Sequence, residues 1–398
     1  MAPRLPRRRP RRAAGRGRLP LGPRRPPHRP GGPRPVTRKF NSRVIYSAAH
    51  VVADPLADNG PGRPAAVDWD ATLAFRRHLW DLGLGVADAM DTAQRGMGLD
   101  WEATRQLIRR SAEAAGPDDL LACGVGTDQL GAGPATLDQI RAAYLEQLAV
   151  VEDAGAGTIL MCSRALAANA KTPDDYRRLY GELLGEVSGK AILHWLGPMF
   201  DPALEGYWGS ADLAEAADVF VEIITENAAK IDGIKMSLLD AEAEIALRRR
   251  LPEGVRCYTG DDFNYPRLIA GDEFGHSDAL LGIFDPLAPL ASRAAIKLDE
   301  GDVAAFHAIL DPTVPLARKV FEAPTFNYKT GVVFLAWLSG FQDHFKMVGG
   351  LESARSIAHF GQIVDLALEA RLFPDEDQAI DRFNALLKVA GQPPRSLA

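Results

Sequence analysis

From Arg38 onward the chain alternates short apolar runs with amphipathic stretches, eight times over. The apolar runs cover 43–49, 83–90, 120–125, 158–162, 190–195, 231–236, 255–260 and 279–284. Between them the spacing predicts helices over about 70–82, 100–115, 137–153, 213–229, 239–249 and 265–270. A further helix opens at Thr172-Pro173, with Thr172 as N-cap and Pro173 at the first helical position, and another follows Pro286. Strand-then-helix alternation implies a parallel sheet covered by helices, because parallel neighbours need a crossover connection. Eight units over about 250 residues close into a (β/α)8 barrel, whereas an open doubly wound sheet usually carries fewer strands. No GxGxxG follows the first run, so a dinucleotide site is not supported. The expected organisation is a disordered Arg/Pro-rich tail over 1–38, the barrel over 39–300, and a helical extension over 301–398. Within that extension Gly331–Leu338 is apolar on nearly all sides, which predicts a helix buried against the barrel or a partner subunit.

Charge is divided unevenly. Residues 1–40 hold 14 Lys and Arg and no acid, leaving 32 basic against 52 acidic residues in the remainder. The body is therefore acidic, which argues against nucleic acid as its partner. The tail lacks the apolar segment of a signal peptide, and its prolines prevent an amphipathic transit helix. It reads as a dispensable arm or an over-long gene start. Three separated cysteines without CxxC spacing fit a reducing cytoplasm and argue against a disulfide framework or a zinc site. No apolar run is long enough for a membrane span.

Barrel enzymes place their chemistry at the C-terminal ends of the strands. That rule selects His50, Asp91, Thr92, Arg164, His194, Lys235, Asp261 and Asp262. Lys235 is the unusual one, because it follows Gly233-Ile234 inside an apolar strand. Burial disfavours an ammonium, and a neutral amine can attack a carbonyl and form an iminium that acts as an electron sink. The structural alternative is a lysine paired with an acid such as Asp232 or Asp261.

At these residues the chain resembles the dihydrodipicolinate synthase / N-acetylneuraminate lyase superfamily. Gly233-Ile234-Lys235 resembles its GxK on the sixth strand, and Tyr258-Thr259-Gly260-Asp261-Asp262 resembles its sGdD on the seventh. Gly124-Val125-Gly126 and Gly155–Leu160 resemble its third- and fourth-strand motifs, and 275–286 its eighth-strand glycine-rich stretch. The resemblance spans about 42–300 in order and spacing. It implies that Lys235 forms a Schiff base and that the chain assembles as a homo-oligomer. Three departures stand out. The GTTGE loop that holds a 2-oxo acid carboxylate reads Met90-Asp91-Thr92-Ala93-Gln94, keeping only Thr92, and Asp91 would repel such a group. The proton-relaying tyrosine of the fourth strand is replaced by Ser163-Arg164. The tyrosine of the fifth is also absent from His194–Pro198. The resemblance thus implies a divergent branch whose substrate need not be pyruvate.

The expected activity is a cytoplasmic class I aldolase-type lyase acting on a keto acid or keto sugar. Lys235 is the nucleophile, and His194 or Tyr258 relays protons. Asp91, Thr92, Asp261, Asp262, His50 and Arg164 hold the substrate. For several there is a structural alternative: one of the two aspartates capping the next helix, Arg164 in a surface ion pair, and His194 hydrogen-bonded beneath its strand end. No cofactor or metal is expected, since neither HxH nor HExxH spacing occurs. The rival functions are a metal-assisted hydrolase or isomerase and a non-catalytic ligand-binding barrel. Tyr328-Lys329-Thr330 and His344–Lys346 close the site, lie at a subunit contact or simply pack helices, and the aromatic-rich 337–345 suggests an interface.

Overall fold

The computed structural model describes residues 40–131 and 133–396, so the expectation of a disordered tail lies outside the described residues. Eight strands form: β1 (Ile45–Ala48), β2 (Gly85–Asp88), β3 (Leu121–Val125), β4 (Gly157–Leu160), β5 (Ala191–Leu196), β6 (Ile231–Ser237), β7 (Arg256–Thr259) and β8 (Asp278–Leu281). They close into a barrel in sequence order, every neighbour parallel, including β8 against β1. The alternation read from the sequence is therefore a (β/α)8 barrel. Local chemistry sets the helix starts. Asp68 and Asp100 each accept an N–H of the first turn, and Thr136 with Gln139 forms a reciprocal cap at Leu137–Asp153. A short helix over Arg164–Asn169 follows β4 before the expected one at Pro173–Glu186. Its N-cap is Ser163, whose hydroxyl accepts from the Leu166 N–H at 3.0 Å.

Two main apolar cores result, beside a small cluster of Ala241, Ile245 and Leu268. The larger packs helices against the outer wall. The smaller joins Tyr46, Ala87, Ala122, Ile159, Ile192, Tyr258 and Leu280, one residue from each of seven strands, and so fills the barrel interior. Side chains alternate across a strand, and registered neighbours in parallel strands share a face. On β5 and β6, Ile192 pairs with Gly233, His194 with Lys235 and Leu196 with Ser237; on β7, Tyr258 pairs with Lys235. Lys235 therefore stands on the inner wall, between His194 and Tyr258.

Beyond the barrel, helices run over Val303–Leu310, Val314–Val320, Tyr328–Leu338, Ile357–Glu369 and Glu376–Val389. Every residue of Tyr328–Leu338 is buried within this chain. The aromatic segment around it packs internally too: Trp337 stacks on Phe345 at 5.8 Å, and Phe334 contacts Phe345, Phe360 and Phe383. These rings do not form the free aromatic face suggested as an interface.

Behind β7, Glu244 is fully buried and accepts from the Ser277 hydroxyl at 2.6 Å. Burial pushes its carboxyl up from 4.5 to about 7. The folded chain then keeps a proton that the unfolded chain releases, so stability falls as pH rises from about 4.5 through about 7. Glu244→Gln keeps an acceptor for Ser277 and removes this term. The variant is expected to be more stable than the parent at pH 8, by up to about 3 kcal/mol, and to match it at pH 4. Urea midpoints across that range check it; parallel pH profiles would contradict it.

Candidate active site

Glycines make room for Lys235. A Cβ on Gly233 would lie 2.7 Å from the Tyr258 ring and 2.8 Å from the Arg256 carbonyl oxygen. One on Gly260 would lie 2.9 Å from Lys235 Cε and 2.7 Å from the Met236 carbonyl oxygen. The two motif glycines thus let β7 approach β6 on either side of the lysine. Lys235 is 7% exposed. Burial lowers its amine below the ordinary lysine range, opposed by the charges of Asp91 and Asp262. Asp262 is its counterpart: burial pushes that carboxyl up to about 7, opposed by the N–H of Ile283, bound at 2.8 Å, and by Lys235. The two titrate as a pair, and neutralisation of both is the outcome burial favours.

The adjacent aspartates face different tasks. Asp261 accepts from the N–H groups of Phe263 and Asn264 and from the Asn264 side chain, building the turn into Tyr265–Ala270. Asp262 accepts from the Ile283 N–H instead, and its charge acts on the lysine. His194 is fully buried, and its Nε2 lies 3.1 Å from Ser237 Oγ while its Nδ1 has no hydrogen-bond partner. Burial, then Lys235, drives its pKa well down, so the imidazole is neutral at pH 7.

Other expected site residues are engaged elsewhere. The Tyr258 hydroxyl donates to Asp232 at 2.6 Å. Asp232 sits at the opening of β6, where a bulge lets Ala191 pair with Ile231 and Ile192 with Gly233. That is three residues, about 10 Å, before Lys235 along the strand. His50 is fully buried, its Nδ1 2.8 Å from Asp285 and its Nε2 3.0 Å from Gln342. Arg164 pairs with Asp201, and its side chain is half exposed. Among the described residues no group of three or more His, Cys, Asp or Glu side chains is placed to hold a metal ion.

Two residues of the extension, Tyr328 and Lys329, lie buried at the mouth, one of the options the sequence pattern leaves for them. Tyr328, from the extension, is fully buried, and its hydroxyl lies 2.9 Å from Thr92 Oγ1. Its ring stacks on Phe321 at 4.4 Å. Burial, then Asp91 and Asp262, holds its pKa well above the usual tyrosine value. Lys329 is also buried; its Nζ donates to the Phe326 carbonyl at 3.1 Å and lies 4.5 Å from the Tyr328 ring centroid. Burial lowers it to about 8, against Asp91 and Asp201. Arg95, by contrast, carries no signal in the sequence pattern that marks it for the site. It donates to the carbonyls of Gly124 at 2.7 Å and Ala89 at 3.2 Å and pairs with Asp128, fixing the loop after β2 to β3.

Among solved structures the fold is similar to a putative dihydrodipicolinate synthetase from Pseudomonas aeruginosa, with 14% identity, a TM-score of 0.63, and 83% of this chain and 99% of that one covered. It is similar to dihydrodipicolinate synthase from Aquifex aeolicus, with 16% identity, a TM-score of 0.62, and 83% and 98% covered. The chloride-inhibited, pyruvate-complexed enzyme from Acinetobacter baumannii shares 15% identity, with a TM-score of 0.62 and 84% and 100% covered. At these identities the likeness is one of fold. No helix among the described residues is long and apolar enough to cross a membrane. No curated protein matches the sequence. The family described as "Protein of unknown function (DUF993)" matches residues 28–392, and the chain belongs to that family.

Proposed function

We propose that the protein is a class I aldolase-type lyase in which Lys235 forms a Schiff base with the carbonyl group of a small molecule. One observation carries this: a lysine buried on the inner wall, its amine lowered by burial, near the equally buried Asp262, whose carboxyl burial pushes up to about 7. A neutral amine beside a neutral carboxyl is the pair that addition to a carbonyl needs, one group to attack and one to protonate the oxygen. The dihydrodipicolinate synthase fold of the neighbours supports the same reading. His194 stays neutral and, with Ser237, offers a hydrogen-bonding wall next to the amine. Tyr328 takes over the tyrosine role that β4 and β5 lack. Its hydroxyl remains protonated and, steadied by Thr92, donates to the oxygen on which charge develops. The homo-oligomer and the cytoplasmic setting belong to the same proposal; three free cysteines fit that setting.

Tyr328→Phe keeps the ring packed on Phe321 and removes only the hydroxyl. It is expected to slow imine formation roughly 10²-fold with an unchanged unfolding midpoint, checked by rates of borohydride capture. The reading as a whole is tested by incubating the protein with borohydride and a panel of 2-oxo acids, hydroxy ketones and keto sugars. The expected result is a mass increase that peptide mapping assigns to Lys235. A panel that leaves the lysine unmodified would remove the proposal's main support.

A further inference from the structure

We propose that Asp91 supplies the negative charge beside the Lys235 iminium, so that the substrate brings none: it is a ketone or aldehyde without a carboxylate on its carbonyl carbon and with a hydroxyl on the neighbouring carbon. This rests on the imine reading above and deepens it.

Placement comes first. Asp91 opens the 3-10 turn Asp91–Ala93 at the end of β2, after Ala89 bends the chain with φ of 52°. The next residue, Thr92, points its hydroxyl at Tyr328, and both lie against Gly282 at the end of β8: a Cβ there would be 3.3 Å from Thr92 Oγ1 and 3.2 Å from the Tyr328 ring. Asp91 thus stands on the rim of the enclosure that holds Lys235, and its charge acts on both buried amines, Lys235 and Lys329. Among the described residues no hydrogen bond reaches its carboxylate, so two acceptor oxygens are left for a ligand's donors.

Charge decides what that ligand is. Arg164 and Asp201 neutralise one another. Burial pushes both Lys235 and Asp262 toward their neutral forms. Asp91 and the Lys329 ammonium are then the remaining ionised groups of the mouth, one of each sign. In the reaction, the Lys235 nitrogen bonds to the carbonyl carbon, and the oxygen takes one proton from Asp262 and one from that nitrogen. It leaves as water, and an iminium and the Asp262 carboxylate remain. The mouth is neutral before and after this step. A substrate carboxylate would add a second negative charge within a few ångströms of Asp91, against the single Lys329 ammonium, which is already held by the Phe326 carbonyl and the Tyr328 ring. At contact distance in a protein interior such repulsion is worth roughly 10²- to 10³-fold. A hydroxyl in the same place donates to Asp91 instead.

The experiment compares wild type and Asp91→Asn for borohydride capture of dihydroxyacetone and of pyruvate at Lys235, each rate divided by that of a free lysine derivative. Unfolding midpoints confirm that both proteins are folded. In wild type, dihydroxyacetone is expected to be captured about 10²-fold faster than pyruvate, and Asp91→Asn is expected to shrink that ratio at least tenfold. Using the ratio removes any common effect of the variant on the amine. Equal capture of the two compounds by wild type, or a ratio unmoved by the substitution, would overturn the assignment. Absence of any adduct with either compound in both proteins would overturn the imine reading itself, and this inference with it.

Discussion

Lys235→Met is expected to abolish covalent capture of carbonyl compounds, by about 10³-fold or more, while leaving the barrel folded. Methionine fills the same inner-wall position with no amine to attack. The stability result separates function from structure. A lysine held there as an ion-pair partner would strand a buried carboxylate when removed, costing about 3–5 kcal/mol. Here burial already drives Asp262 to its neutral form near pH 7. A neutral carboxyl needs no cation, so the change in stability is expected to stay under about 1.5 kcal/mol, the range of volume-conserving swaps. Denaturant midpoints read alongside capture rates check both halves. Loss of capture together with loss of fold would favour the structural role.

Gly260→Ala carries the second large effect. The added Cβ would lie 2.7 Å from the Met236 carbonyl oxygen and 2.9 Å from Lys235 Cε. The carbonyl is fixed, because it accepts the Gly260 N–H at 2.7 Å as part of the β6–β7 pairing. The strands must separate or the lysine must move, and overpacking of this kind costs about 1–3 kcal/mol. The lysine displacement adds a kinetic penalty that stability alone does not report. Near-attack geometry is sensitive to shifts of about 1 Å, worth up to roughly 10²-fold. We expect Gly260→Ala to lose both, whereas Gly181→Ala, with no atom near its Cβ, should lose neither. Urea midpoints and capture rates of the two variants make the comparison.

The barrel was legible because its signal is local and repeated: each apolar run and each helical stretch is encoded within a dozen residues. Lys235 was legible for a related reason, since a lysine inside an apolar strand conflicts with its surroundings. The rest of the site depends on contacts between distant positions. Tyr328 meets Thr92 across 236 residues, from a helix whose apolar pattern announced burial but could not name that partner. His50 is engaged by Asp285 and Gln342, 235 and 292 residues away, so its strand-end position alone pointed to a free imidazole. For Tyr258, position and direction part ways. Its backbone pairs with Lys235, yet its ring runs over Gly233 toward the bulged Asp232. Neither aspartate caps the following helix, whose N-cap is Asn264; Asp261 builds the turn just before it.

The mouth holds two buried lysines of lowered pKa, Lys235 on β6 and Lys329 on the extension, and the choice between them is the sharpest test of the account. The decisive measurement is peptide mapping of the borohydride-reduced adduct at neutral pH. The added mass is expected on the peptide bearing Lys235, with Lys329 unmodified. An adduct on Lys329, or on exposed lysines in proportion to their exposure, would contradict it.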